Sequence, residues 1–174
     1  MKDNRDQSEG NQRRIKRSVG RCLFQCALAV LTMLVLLMLL DVLLHAAIIA
    51  TLGASAFIVF AMPKAYSSEP KPLIGGYLIG ICTGCLCRLL STSKLVMPVL
   101  ATQRASGVVF GALAVGVAIF LMVVTHTEHP PAAGMALALV LNNWGYLTPV
   151  SILSAVILMA GVKKLLDPIL VDLV

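Results

Sequence analysis

Charge is scarce in this sequence. Asp, Glu, Lys and Arg make up 13% of the chain, about half the share that a soluble domain carries. The shortage is also uneven. Between Cys22 and Leu44 the only charged residue is Asp41. About 20 apolar residues cross a hydrocarbon core of ~30 Å, so this stretch reads as a membrane span. No small-x-small cleavage site follows it, and the run exceeds the ~7–15 apolar residues of a secretion signal, so it reads as a retained helix. Catalytic signatures are missing as well: there is no Gly-rich phosphate loop, nucleophile elbow or pair of carboxylates. The length fits one membrane domain and leaves no room for a soluble catalytic one. The expectation is a chain that is not an enzyme and takes no cofactor.

What is present is apolar. Hydrophobic residues make up 59%, and mean hydropathy is +0.92. Four long apolar segments lie near 22–44, 73–90, 107–125 and 149–166, each bounded by charge, Pro or a polar cluster. Two shorter segments, Gly53–Met62 and Ala132–Leu141, end at Pro63-Lys64 and Asn142-Asn143. The second, as a helix rising ~1.5 Å per residue, covers only about half the core; the first spans if it begins at Ala46. The fold class is therefore all-α: a polytopic transmembrane bundle of about four spans plus two short, re-entrant or half helices. Residues 1–21 hold seven of the 14 Lys and Arg. Lacking apolar residues to bury, they read as a disordered, basic, cytoplasmic tail ahead of a membrane domain over 22–174. Beside a span such a cluster sets orientation and touches anionic headgroups rather than nucleic acid. With both short segments re-entrant and the N-terminus inside, twelve Lys and Arg lie inside, and Lys64 and Lys71 outside. With both crossing, the split is eleven to three. Charge bias and segment length together favour the re-entrant arrangement. It contains two span–short helix–span repeats, 22–90 and 107–166, in parallel orientation, with Pro72 and Pro149 at matching places.

Thr127-Glu128-His129-Pro130-Pro131-Ala132-Ala133-Gly134-Met135-Ala136 resembles the signature of the HPP family, integral membrane proteins named for a His-Pro-Pro motif. Upstream, Leu52-Gly53-Ala54-Ser55 is similar to that family's Gly-Ala-Ser segment, and Pro72-Leu73-Ile74-Gly75-Gly76 to its Pro-x-x-x-Gly-Gly pattern. The resemblance covers roughly residues 22–166, in order. Tyr77 follows Gly75-Gly76, where the family typically has His, and Lys71-Pro72 stands where Pro-Arg is usual. The resemblance implies a four-spanning small-anion transporter, since plant and cyanobacterial members are linked to nitrite transport.

The residues make a case of their own. Pro130-Pro131 reads as a helix start, with His129 or Thr127 near the cap. The amides of Ala132, Ala133, Gly134 and Met135, with the positive end of the helix dipole, then form an expected anion site. Gly53, Ala54 and Ser55 would offer a second such terminus, with the Ser55 hydroxyl as an added donor. The plainer alternative is that these small residues only let helices pack closely. His126, Glu128 and His129 cluster before the same start, as a proton shuttle or merely as an exposed loop. His45, His126 and His129 are too few and wrongly spaced for a zinc-protease site, so no metal is expected. Cys82, Cys85 and Cys87 lie inside a span and read as small buried filler. Asp41 reads as interfacial, and Trp144 and Tyr146 as interface anchors. The expectation is a multi-pass integral membrane protein, in the inner (plasma) membrane if bacterial, that passes a small inorganic anion. The alternative is a non-transporting assembly or sensory subunit. Self-association is left open.

Overall fold

The computed structural model describes residues 2–39, 46–93 and 102–173. Six α-helices account for most of them: α1 Lys2–Leu39, α2 Ala46–Ala61, α3 Pro70–Ser91, α4 Gln103–Thr125, α5 Pro130–Leu141 and α6 Leu147–Leu166. No strand occurs among the described residues. Four helices are long and apolar enough to cross a membrane, over Val19–Met38, Pro70–Ser91, Arg104–Thr125 and Leu147–Leu166, and α2 and α5 are the two short ones. The sequence reading of four spans and two short helices therefore holds. Asp41 and His45 lie outside the described residues.

The basic N-terminal stretch departs from the reading. It is helical from Lys2 and continuous with the first span. Its Gln, Glu, Lys and Arg are good helix formers, no Pro interrupts them, and the apolar helix behind supplies the nucleus that an isolated segment would lack.

Contacts at the helix ends fix the threading. Gln25 Nε2, near the start of the α1 span, donates to Phe60 O at 2.7 Å and to Val171 O at 2.8 Å. Lys64 N donates to Asp172 Oδ1 at 3.0 Å, and Lys163 Nζ lies 3.3 Å from Glu69 Oε1. Tyr66 OH donates to His126 O at 2.6 Å. Residues 60–69, 126 and 163–172 thus share one end of the bundle with the start of the first span, here termed the near end. At the far end Arg88 Nη1 donates to Val140 O at 2.9 Å, and Ser106 Oγ to Ser91 O at 2.7 Å.

Two expectations fall with this geometry. Neither short helix returns to the face it left: α2 runs from far to near, and α5 runs toward the far end. Lys64 and Lys71 consequently sit at the same end as Lys163 and Lys164, which is the eleven-to-three arrangement rather than the twelve-to-two one. The repeats are also inverted, not parallel. Helices α1–α3 run near–far, far–near, near–far, and α4–α6 run the opposite way. A unit with an odd number of crossings must deliver its successor upside down.

The core forms where α3 meets α4 and α5. Leu73, Tyr77, Ala132, Met135, Ala136 and Leu139 are completely buried there. Glycine makes the approach possible. A Cβ on Gly76 would stand 2.8 Å from His129 Cβ, one on Gly80 would fall on Ala132 O, and one on Gly84 would stand 2.8 Å from Ala136 O. These three glycines recur every fourth residue, on one helical face, so α3 presents bare backbone along the length of α5.

Candidate functional site

The His-Pro-Pro segment enters the bundle rather than capping a surface loop. His126 takes the left-handed conformation (φ 52°) and ends α4. Its amide donates to Val123 O, and that of Thr127 to Met122 O. The chain then turns inward, Thr127 packs on Gly75, and His129 becomes the N-cap of α5. Because His129 rests on Gly76, α5 starts about 9 Å along α3 from Pro70, taking ~1.5 Å per residue. It is a half helix in depth, twelve residues long.

His129 is fully buried and bonded on both ring nitrogens. Nδ1 lies 2.7 Å from Ser67 O and Nε2 lies 2.8 Å from Ser55 Oγ. A carbonyl can only accept, so Nδ1 carries a proton. In the neutral ring Nε2 is then bare, and Ser55 donates to it. Ser55, from the middle of α2, is also 2.8 Å from Tyr77 OH and 3.1 Å from Thr51 O. Tyr77 OH reaches Thr51 O at 3.0 Å. With the Ser55 proton spent on His129, the tyrosine proton is shared between Ser55 Oγ and Thr51 O. The result is a directed chain, Tyr77 to Ser55 to His129 to Ser67, in which Ser55, Tyr77 and His129 all have 0% exposure. Hydrogen bonds in such a water-free place are strong when complete and costly when broken.

The expected amide cradle is not formed. Pro130 and Pro131 have no N–H, and Ala132 N donates to His129 O at 2.9 Å. The amides of Ala133, Gly134 and Met135 are taken by the helical i→i−4 pattern. The prolines that start the helix occupy the positions whose amides would have been free. The positive dipole end remains. Nor do Gly53, Ala54 and Ser55 begin a helix: α2 starts at Ala46, and they lie in its middle turns. Ser55 therefore meets the start of α5 through its hydroxyl alone. Gly134 faces α2, where an added Cβ would stand 3.1 Å from Thr51 Cγ2, which is the close-packing role.

Of the three candidate proton carriers, only His129 belongs to the cluster. His126 is exposed. Glu128 is half-buried, with Oε2 unpartnered, and lines an apolar cavity of about 280 Å³ beside Met122, His129, Pro130 and Ala133. Sequence reasoning missed Tyr77, Thr51 and Ser67 as members. The Gly76, Gly80 and Gly84 spacing was the available signal that the face of α3 carrying Tyr77 meets the His-Pro-Pro helix.

Six alternating helices around a buried hydroxyl–imidazole cluster define a multi-pass integral membrane protein built from two opposed three-helix units. The chain belongs to the HPP family: residues 14–168 match the family described as HPP, transmembrane region. It is also similar to a transmembrane protein of Dictyostelium discoideum, 32% identical over 117 residues. That alignment takes in 64% of this chain and 38% of the relative, so the chain spans well under half of the relative's length. No solved structure matches.

Proposed function

We propose that the chain passes a small inorganic anion, nitrite-like in size and charge, across the bilayer, with the Ser55–Tyr77–His129 cluster as the point of transfer. One observation carries the reading: a fully buried hydroxyl–hydroxyl–imidazole chain joins both opposed units well inside the bundle. Polar groups at such depth in a membrane protein mark pathways. Hydroxyl donors hold an anion weakly enough to release it, and the dipole of α5 biases the same place toward negative charge. No carboxylate bonds to the cluster among the described residues.

In this reading His129 also carries the coupled proton. Protonation at Nε2 would force Ser55 to accept from His129 instead of donating to it, turning the Ser55 proton toward Tyr77 OH or Thr51 O, where an arriving anion would compete for it. In this reading the protein is a carrier rather than an enzyme, and since Ser55 and Tyr77 are fully closed off, passage of the anion requires the cluster to open. The near end, with eleven of the Lys and Arg, faces the cytoplasm.

The test is flux of nitrite, nitrate, formate and chloride into vesicles containing the purified chain. Nitrite flux that falls in Ser55→Ala and His129→Ala, with both variants folded, supports the reading. Wild-type flux no greater than that of empty vesicles rejects it. A second reading, a non-transporting assembly or sensory subunit, is favoured by the complete closure of the cluster. It calls for a membrane protein that copurifies and for no flux.

A further inference from the structure

The far end holds a second polar feature, some 16 Å along α3 from Tyr77 at ~1.5 Å per residue. Arg88 at the end of α3 and Arg104 in the first turn of α4 line one cavity of about 470 Å³, with Gly107, Val140 and Asn143 among its other walls. Among the described residues, no Asp or Glu lines it. Arg88 is pinned: Nη1 donates to Val140 O and Nη2 to Asn143 Oδ1. Those two bonds use two of its five N–H donors, and they hold the planar fork in a fixed orientation. Arg104 forms no ion pair among the described residues and is exposed. It sits at the positive end of α4, which begins at Gln103. Arg88 alone is explained as a cap on the last carbonyls of α5. That explanation does not extend to Arg104, whose charge adds repulsion to a space already holding a guanidinium.

We propose that this cavity binds a phosphate-class anion, bridged between the Arg88 and Arg104 guanidinium groups. Planar guanidinium forks match tetrahedral oxyanions bidentately, and a phospholipid headgroup at the bundle end carries such an oxyanion. The anion comes either from an anionic phospholipid or from solution. The site is distinct from the Ser55–Tyr77–His129 cluster and stands whether or not the chain transports.

Thermal unfolding of the full chain in neutral detergent tests it, with phosphatidylglycerol, phosphatidylcholine or inorganic phosphate added. The basic tail at the opposite end also attracts anionic lipid, so Arg13→Gln/Arg14→Gln serves beside Arg104→Gln. Phosphatidylglycerol should raise the midpoint of the wild type and the tail variant, and phosphatidylcholine should not. In Arg104→Gln the concentration giving half the shift should rise about tenfold or more, the loss expected for a charge-assisted pair, and Arg104→Lys should recover part of it. A shift reproduced by phosphate identifies a free anion as ligand, and one given by the lipid alone identifies a headgroup. An unchanged response in Arg104→Gln, or no response to either anion, overturns the proposal.

Discussion

Replacing Gly80 by Ala tests the α3–α5 contact with a single methyl group. In an ordinary helix interior this change stabilises by about 1 kcal/mol, because alanine restricts the unfolded chain and favours the helix. At Gly80 the new Cβ falls on Ala132 O, with Ala132 C at 3.1 Å and Cα at 3.6 Å. All three are backbone atoms, so no side chain can rotate away. Relief requires α3 and α5 to separate by about 1 Å, and overpacking of this kind costs about 1–3 kcal/mol. The separation would also pull His129, at the head of α5, away from Ser55. The comparison is Gly116→Ala on α4, where nothing lies within 4 Å of the added carbon. The two variants should therefore move in opposite directions in thermal unfolding followed by helical circular dichroism in detergent. Gly80→Ala should melt lower than wild type, and Gly116→Ala at or above it. If Gly80→Ala were as stable as Gly116→Ala, the glycine face would not be in backbone contact, and the placement of α5 would be wrong.

Ser55→Ala leaves His129 Nε2 without a donor in a dry site and should destabilise by about 1–3 kcal/mol in the same assay; an unchanged midpoint would mean that the Ser55–His129 bond contributes nothing. Thiol labelling of Lys64→Cys and Lys164→Cys over the native cysteine background should occur from one side of sealed vesicles, and of Arg104→Cys from the other. Labelling of positions 64 and 164 from opposite sides would restore the re-entrant topology. If His129 carries the proton, His129→Gln should flatten the pH profile of anion uptake while changing apparent affinity less; a profile matching wild type would remove His129 from that role.

The spans were legible because hydropathy and length act locally: an apolar run of this kind has nowhere to go but lipid or a core. The start of α5 was legible for a related reason, since Pro130-Pro131 permits a helix only downstream. The direction of each short helix was not. Counting Lys and Arg distinguished eleven to three from twelve to two too weakly, and the decision rests on the Lys163–Glu69 contact between residues 94 positions apart. The amide site failed on chemistry readable in the sequence, for the same prolines that mark the helix start remove the donors. The sequence marks Ser55 as a donor at a helix start, whereas its hydroxyl bonds His129 from the middle of α2. Tyr77 was noticed only as a departure from the family pattern, because nothing local says that it faces His129. That fact belongs to the packing of α3 on α5, which depends on glycines whose contacts are all distant in sequence.

The Gln25 amide has a consequence for how the chain comes apart. It donates to Phe60 O near the end of α2 and to Val171 O, while Leu173 N donates to Ala61 O. Residue 25, residues 60–61 and residues 171–173 are thereby joined at one spot. Peeling residues 171–173 away strips Ala61 O of the Leu173 amide and Gln25 Nε2 of one of its two acceptors, so the end of α2 is loosened whenever that segment lifts.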